Sequence, residues 1–353
     1  MLLVILIVIL AIIGIFLAVF YFVSSGKPQK IKDKNGRVVS GSISEIIELD
    51  LGNAKQYIIV RGEDETKPVL LFLHGGPGDP EFTFIKKFAP ELQKYFVLVH
   101  WDQRGAGKSF SSDLDPKTMN VKQLTSDGNE LVEYLKNRFK RQKVYLMGHS
   151  WGTVLGMNMI KEHPENFFAY MGIGQVANIL KGEKISQRFV IDRLNEDGNK
   201  KVAERIENYN LDEMDAEEFI KYLFYQRKFV RKYGGAMRNI KIGKAILSSL
   251  FAREYTVGEK INIVKGEKFS IKNLWGEIVE NNLDEQILEV GVPVYIFQGK
   301  HDYQTPYKVA REYYEKLKAP EKEFFTFENS AHCPLFEENK TFNKLILEKV
   351  LKN

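Results

Sequence analysis

Gly148-His149-Ser150-Trp151-Gly152 constrains what this chain can fold into more than any other stretch. A short apolar run, Lys143 to Met147, leads into it, and Thr153 to Ile160 leaves it with the composition of a helix. G-x-S-x-G between a strand and a helix is the pattern of a nucleophile elbow, where a serine on a sharp turn lifts its hydroxyl clear of a sheet. Glycines two residues either side of the serine let strand and helix approach closely enough to make that turn. The N-terminus of the following helix then lies under an oxygen on which negative charge develops.

The rest of the chain supplies such a sheet. Apolar, strand-like runs occur at Tyr57 to Val60, Val69 to Leu73, Phe96 to His100, Val144 to Met147 and Phe168 to Ile173, with two more at Val292 to Phe297 and Phe324 to Phe327. Continuous apolar strands alternating with helical segments predict a mostly parallel sheet covered on both faces, an α/β architecture with functional groups at the C-terminal strand ends. The rhythm breaks between Val176 and Leu288, a charge-rich stretch with helical patterns at 201–209, 215–232 and 283–290, and then resumes. This predicts a helical cap inserted into one sheet. The expected organisation is an anchor over 1–25, a linker over 26–44, the first part of the core over 45–176, the cap over 177–288 and the rest of the core over 289–353.

Leu2 to Val23 carries no charge and is almost wholly Leu, Ile, Val, Phe and Ala. At 1.5 Å per residue such a helix is about 33 Å long, enough to cross a hydrocarbon core. It has no polar face over six turns, which speaks against a buried core helix, and it lacks the preceding basic segment and is long for the apolar region of a cleaved signal peptide. A single-pass anchor in a lipid bilayer is expected. Lys27, Lys30, Lys32, Lys34 and Arg37 follow the span against Asp33 alone, and the positive-inside rule then favours a cytoplasmic C-terminal domain, with export as the alternative.

A serine nucleophile needs a base and an orienting carboxylate. Of six histidines, His74 lies in a glycine turn, His100 in a strand, His149 beside the serine, His163 at a helix end before Pro164, and His301 beside Asp302. His332, in a loop just past the last strand, is left as the base. Asp302 follows the preceding strand and is the expected orienting acid. The chain order Ser150, Asp302, His332 is that of α/β hydrolases. The oxyanion hole is expected from the backbone N–H groups of Trp151 and Gly76, with Gly75 next. Gly105-Ala106-Gly107-Lys108-Ser109 resembles the tail of a P-loop, but Asp102 stands where that motif needs glycine, so no nucleotide is expected. No metal-ligand spacing is present, no cofactor is expected, and a net charge of +5 without an Arg-rich tract speaks against nucleic acid.

Three spaced motifs, His74-Gly75-Gly76-Pro77-Gly78, Asp102-Gln103-Arg104-Gly105 and Gly148-His149-Ser150-Trp151-Gly152, resemble those of the proline iminopeptidase group of α/β hydrolases. Gly299-Lys300-His301-Asp302 and Ser330-Ala331-His332 complete the likeness, which covers about 55–176 and 290–340. The resemblance implies a Ser-His-Asp hydrolase with a helical cap that cleaves small peptides or amides from the N-terminus through an acyl-enzyme. It also implies that cap carboxylates bind the free substrate amine, with Glu204, Glu207, Glu277 and Glu280 as candidates. The alternatives are the same machinery acting on acyl esters near the membrane, and a non-catalytic binding protein on a hydrolase scaffold.

Overall fold

The structure is a computed structural model and describes residues 1–240 and 242–351. Eight strands form one sheet: β1 (Ile43–Leu51), β2 (Ala54–Gly62), β3 (Val69–Leu73), β4 (Val97–Asp102), β5 (Val144–His149), β6 (Phe167–Ile173), β7 (Val294–Gly299) and β8 (Lys322–Phe327). Their order is β1-β2-β4-β3-β5-β6-β7-β8. Every pairing from β4 to β8 is parallel, and β2 joins β4 antiparallel. The central strands β3, β4, β5 and β7 are buried along their whole length, as their unbroken apolar runs require.

Helix α1 (Leu2–Val23) precedes the sheet, and α2 (Phe82–Phe88), α3 (Val121–Phe139) and α4 (Trp151–Glu162) follow strands β3, β4 and β5. Between β6 and β7 the chain is helical: α5 (Ile179–Glu196), α6 (Lys200–Glu207), α7 (Ala216–Lys232), α8 (Ile242–Leu250), α9 (Val257–Glu280) and the single turn α10 (Leu283–Gln286). Helices α11 (Tyr307–Lys316), α12 (Pro334–Glu337) and α13 (Asn339–Leu345) complete the core. The helical excursion closes on itself. Asp284 N–H donates to Ala177 O at 3.3 Å, and Asn178 Nδ2 donates to Asp284 Oδ1 at 3.2 Å.

The structure departs from the sequence reading in three places. Strand β1, and with it the hairpin β1–β2, was not expected, while β2 extends the strand read at Tyr57 to Val60. The hairpin turns through Gly52-Asn53, both at positive φ, which is the geometry a two-residue hairpin needs. β1 is half exposed, so its alternating polar residues hide the strand signal. Helices α5 and α9 lie in stretches where no helix was singled out, and the helix expected over 283–290 stops at Gln286. The segment after α1 is also tied down rather than loose. Ile31 is buried, Gln29 O accepts from Arg61 at 2.6 Å and from Ser44 Oγ at 2.8 Å, and Lys86 Nζ donates to Gln29 Oε1 at 2.8 Å.

A buried ion pair locks the loop after β4 to α3. Arg104 donates to both oxygens of Asp127, at 2.7 and 3.0 Å, and to the carbonyls of Leu51 and Gly52. Asp127 also accepts from Gln56 Nε2 at 2.7 Å. Asp127→Ala strands a buried guanidinium and is expected to cost about 3–5 kcal/mol, read from urea unfolding. The double variant Arg104→Met/Asp127→Leu removes both charges and is expected to recover most of that loss. A double variant as unstable as the single one would refute this account.

Candidate active site

The elbow forms because two glycines remove side chains from a tight crossing. A Cβ on Gly148 would meet Gly152 O at 2.5 Å, and one on Gly152 would meet Leu73 O at 2.1 Å. Ser150 between them is at φ 53° and ψ −120°, a strained conformation that sets its side chain off the end of β5 at the start of α4. Ser150 N–H donates to Ile173 O at 2.9 Å, tying the turn to the end of β6.

Asp302 and His332 reach the same place from the ends of β7 and β8. Asp302 Oδ2 lies 2.9 Å from His332 Nδ1 and also accepts from Gln298 Nε2 and Thr305 Oγ1, each at 2.8 Å. Its Oδ1 accepts the backbone N–H groups of Gln304 and Thr305. With so many donors aimed at it, Asp302 is held as a carboxylate acceptor, which assigns the imidazole proton to Nδ1 and leaves Nε2 free to accept. Ser150 and His332 line one cavity of about 380 Å³, together with Gly75, Gly76 and Trp151.

The glycine turn after β3 is clamped to the elbow through Glu81, which the sequence reading did not name. Gly75 N–H donates to Glu81 Oε2 at 3.0 Å, while Glu81 Oε1 lies 2.7 Å from His149 Nδ1. Gly75 N–H is therefore engaged, and of the two glycines considered for the oxyanion hole Gly76 is the one whose N–H is not taken by this clamp. Burial disfavours a charged His149, but the negative charge of Glu81 outweighs it and raises the imidazole well above its ordinary pKa. Burial likewise opposes the Glu81 carboxylate, and His149 overcomes it, so the two form a buried ion pair. On the other side, Gln103 N–H donates to His74 Nε2, Gln103 Nε2 donates to His74 O, and Trp151 Nε1 donates to Gln103 Oε1. The Asp102-Gln103-Arg104-Gly105 motif thus joins the glycine turn to the first residue of α4. Of the remaining histidines, His301 is half-buried just past the end of β7. His74 and His100 are buried, and burial pushes them down to about 4 and about 3. His163 pairs with Glu165 on the surface.

The cap carboxylates singled out from the sequence lie elsewhere. Glu277 is exposed and accepts Val121 N–H at 2.8 Å at the start of α3, and Glu204 is exposed on α6. Neither lines the cavity: on α9 it is Glu267, Ile271, Trp275 and Ile278 that turn inward, and no residue of α6 reaches it. The carboxylates that do face the cavity are Asp79, Glu81 and Glu267. Burial, reinforced by the charges of Glu267 and Glu81, pushes Asp79 up to about 8, and burial also raises Glu267. Asp79 directly follows the glycine turn, and nothing in the sequence reading marked it as a site residue. Glu267 lies in a helix with no surface marker to set it apart from its solvated neighbours.

This eight-stranded sheet, with its elbow after β5 and its helical excursion after β6, defines an α/β hydrolase. The chain belongs to the α/β-hydrolase-fold family, which it matches over residues 68–339. It is 33% identical over 302 residues to the Bacillus subtilis protein named probable aminopeptidase YbaC, spanning 85% of this chain and 94% of that one. It is 24% identical over 299 residues to the proline iminopeptidase of Thermoplasma volcanium, spanning 84% and 93%. The crystal structure of the Mycobacterium smegmatis proline iminopeptidase superposes with a TM-score of 0.58 over 87% of this chain and 98% of that one. At 16% identity, that superposition speaks for the fold alone.

Proposed function

We propose that the protein is a serine aminopeptidase that removes the first residue of short peptides through an acyl-enzyme. His332 Nε2 takes the Ser150 proton as Oγ attacks the carbonyl, and Asp302 stabilises the imidazolium. The oxyanion sits between the N–H groups of Gly76 and Trp151. His332 then protonates the departing amine, and water repeats the sequence to release the acyl group. The observation that carries the amine specificity is the group of three carboxylates, Asp79, Glu81 and Glu267, in the cavity that holds Ser150. Glu81 is already committed to His149, so Asp79 and Glu267 are the groups that receive a substrate ammonium. The walls formed by Leu223, Ile271 and Ile278 suit an apolar first side chain.

Aminoacyl arylamides are expected to be cleaved and their N-acetylated forms to be inert. Glu267→Gln is expected to raise KM for the aminoacyl substrate about tenfold, while an acyl ester without an amine is affected far less. Cleavage of the ester and the N-acetylated arylamide at undiminished rates would refute the amine site and favour the esterase reading. Asp79 carries the pH dependence. Its folded-state pKa is raised, so it is protonated below about 8 and gains charge as the pH rises. KM for aminoacyl substrates is therefore expected to fall between pH 6 and 8, and Asp79→Asn is expected to remove that fall.

We propose further that α1 crosses a membrane. Val4–Val23 is long and apolar enough to do so, and its side chains are not buried against the protein. Exposed Lys27, Lys30, Lys32, Lys34 and Arg37 after it favour the cytoplasmic side for the hydrolase.

A further inference from the structure

The end of α1 does not hang free of the hydrolase. Phe251, directly after α8, packs edge-on against Phe16 and Phe20, with ring centroids 5.9 and 6.4 Å apart. Lys260 of α9 donates to Ser24 Oγ at 2.6 Å and to Leu250 O at 2.7 Å, and its ammonium lies over the Phe20 ring. One lysine therefore joins the end of α1, the end of α8 and the first turns of α9. Gly26 packs so closely on Thr256, the N-cap of α9, that a Cβ would meet Thr256 Cγ2 at 2.7 Å. With Gln29 held by Arg61, Ser44 and Lys86, the hydrolase sits at a fixed height on α1.

That height has a consequence. Phe16 and Phe20 are seven and three residues inside the end of α1 at Val23, about 10 and 5 Å along the helix at 1.5 Å per residue. A side chain that touches both lies below the plane where α1 ends. The neighbouring surface is apolar. Leu247 and Leu250 on α8 are 56% and 40% exposed, and Ile261 and Val264 on α9 are 51% and 53% exposed. Lys265 and Lys268 continue the same stripe of α9 and are exposed, as are Arg253 and the five basic residues after α1. An apolar patch bordered by cations beside a spanning helix has the chemistry of an interfacial surface over anionic lipid.

We infer that the cap is seated in the membrane interface, with Phe251 and the Leu247, Leu250, Ile261 and Val264 faces of α8 and α9 immersed in lipid. This rests on the reading of α1 as a span. It also brings lipid close to the reaction cavity. Ser249 of α8 is hydrogen-bonded to Thr83 of α2 at 2.8 Å, and the next residue of α2, Phe84, lines the cavity.

The test uses the full chain in nanodiscs of phosphatidylcholine and phosphatidylglycerol. Nitroxides are attached to Leu17→Cys, Leu250→Cys, Val264→Cys and Lys308→Cys, the last on α11 at the far end of the sheet from β1. The native Cys333 is buried. Leu17, Leu250 and Val264 are expected to relax several-fold more with oxygen than with a water-soluble nickel chelate, and Lys308 the reverse. Ile261→Cys replaces either cap variant that fails to fold. A lipid-exposed Leu17 with aqueous Leu250 and Val264 would overturn the seating of the cap and leave the span intact. An aqueous Leu17 would overturn the span and the seating together. Cap positions shielded from both reagents would mean cover by a second copy of the chain, and would also overturn the inference.

Discussion

Ser150→Ala is expected to lower kcat on an aminoacyl arylamide by about 10⁶-fold and to abolish labelling by a fluorophosphonate, with the unfolding midpoint nearly unchanged. The size of the effect follows from the site acting as a unit. In the proposed mechanism, loss of the hydroxyl leaves His332 and Asp302 no proton to move, and the oxyanion donors hold a substrate that nothing attacks. Asp302→Asn is expected to cost about 10⁴-fold, because the amide no longer fixes the imidazole proton on Nδ1. It carries a further penalty here. An asparagine NH₂ would point at donors already present on Gln298, Thr305 or the backbone of Gln304, so this variant is also expected to unfold at lower urea. Labelling of Ser150→Ala at the wild-type rate would sink the assignment of the nucleophile.

Gly152→Ala is expected to be among the most damaging single-methyl changes at the elbow. The new Cβ would stand 2.1 Å from Leu73 O, and neither partner can yield without moving β3 or α4. The cost is expected to exceed about 4 kcal/mol, near the whole stability of many domains, and to appear as loss of soluble protein or a sharply reduced urea midpoint. Gly258→Ala is the matched control. It is an exposed position in the first turn of α9 with nothing within 4 Å of its Cβ, and is expected to stabilise by about 0.5–1 kcal/mol. Equal stability of the two variants would show that the crossing at the elbow is looser than the contact implies.

The parts of the fold legible in the sequence were those whose chemistry is local. The elbow declares itself because strand, glycines, serine and helix are contiguous. Asp302 and His332 were singled out because each falls just past an apolar strand, and they lie 2.9 Å apart, with Ser150 and His332 lining one cavity. The hairpin β1–β2 was missed because an edge strand alternates polar and apolar residues over few positions. The cap was harder still. Its inward faces are set by how α7 and α9 lie over the sheet, and helical periodicity does not say which charged residue turns inward. Glu277 and Glu204 therefore looked as eligible as Glu267, although only Glu267 faces the cavity. The clamp made by Glu81 and His149 was invisible for a similar reason, since its partners are 68 positions apart.

The place where the helical excursion begins and ends has its own implication. Ala177 and Asp284 are hydrogen-bonded to each other across the whole intervening stretch. A segment whose two ends already touch can be exchanged for another of different length and shape without redrawing the sheet it leaves. On the proposed reading, the residues that choose the substrate and those that break its bond are thus free to change at different rates. A new specificity can arise by replacing one cassette while Ser150, Asp302 and His332 stay where the strands put them.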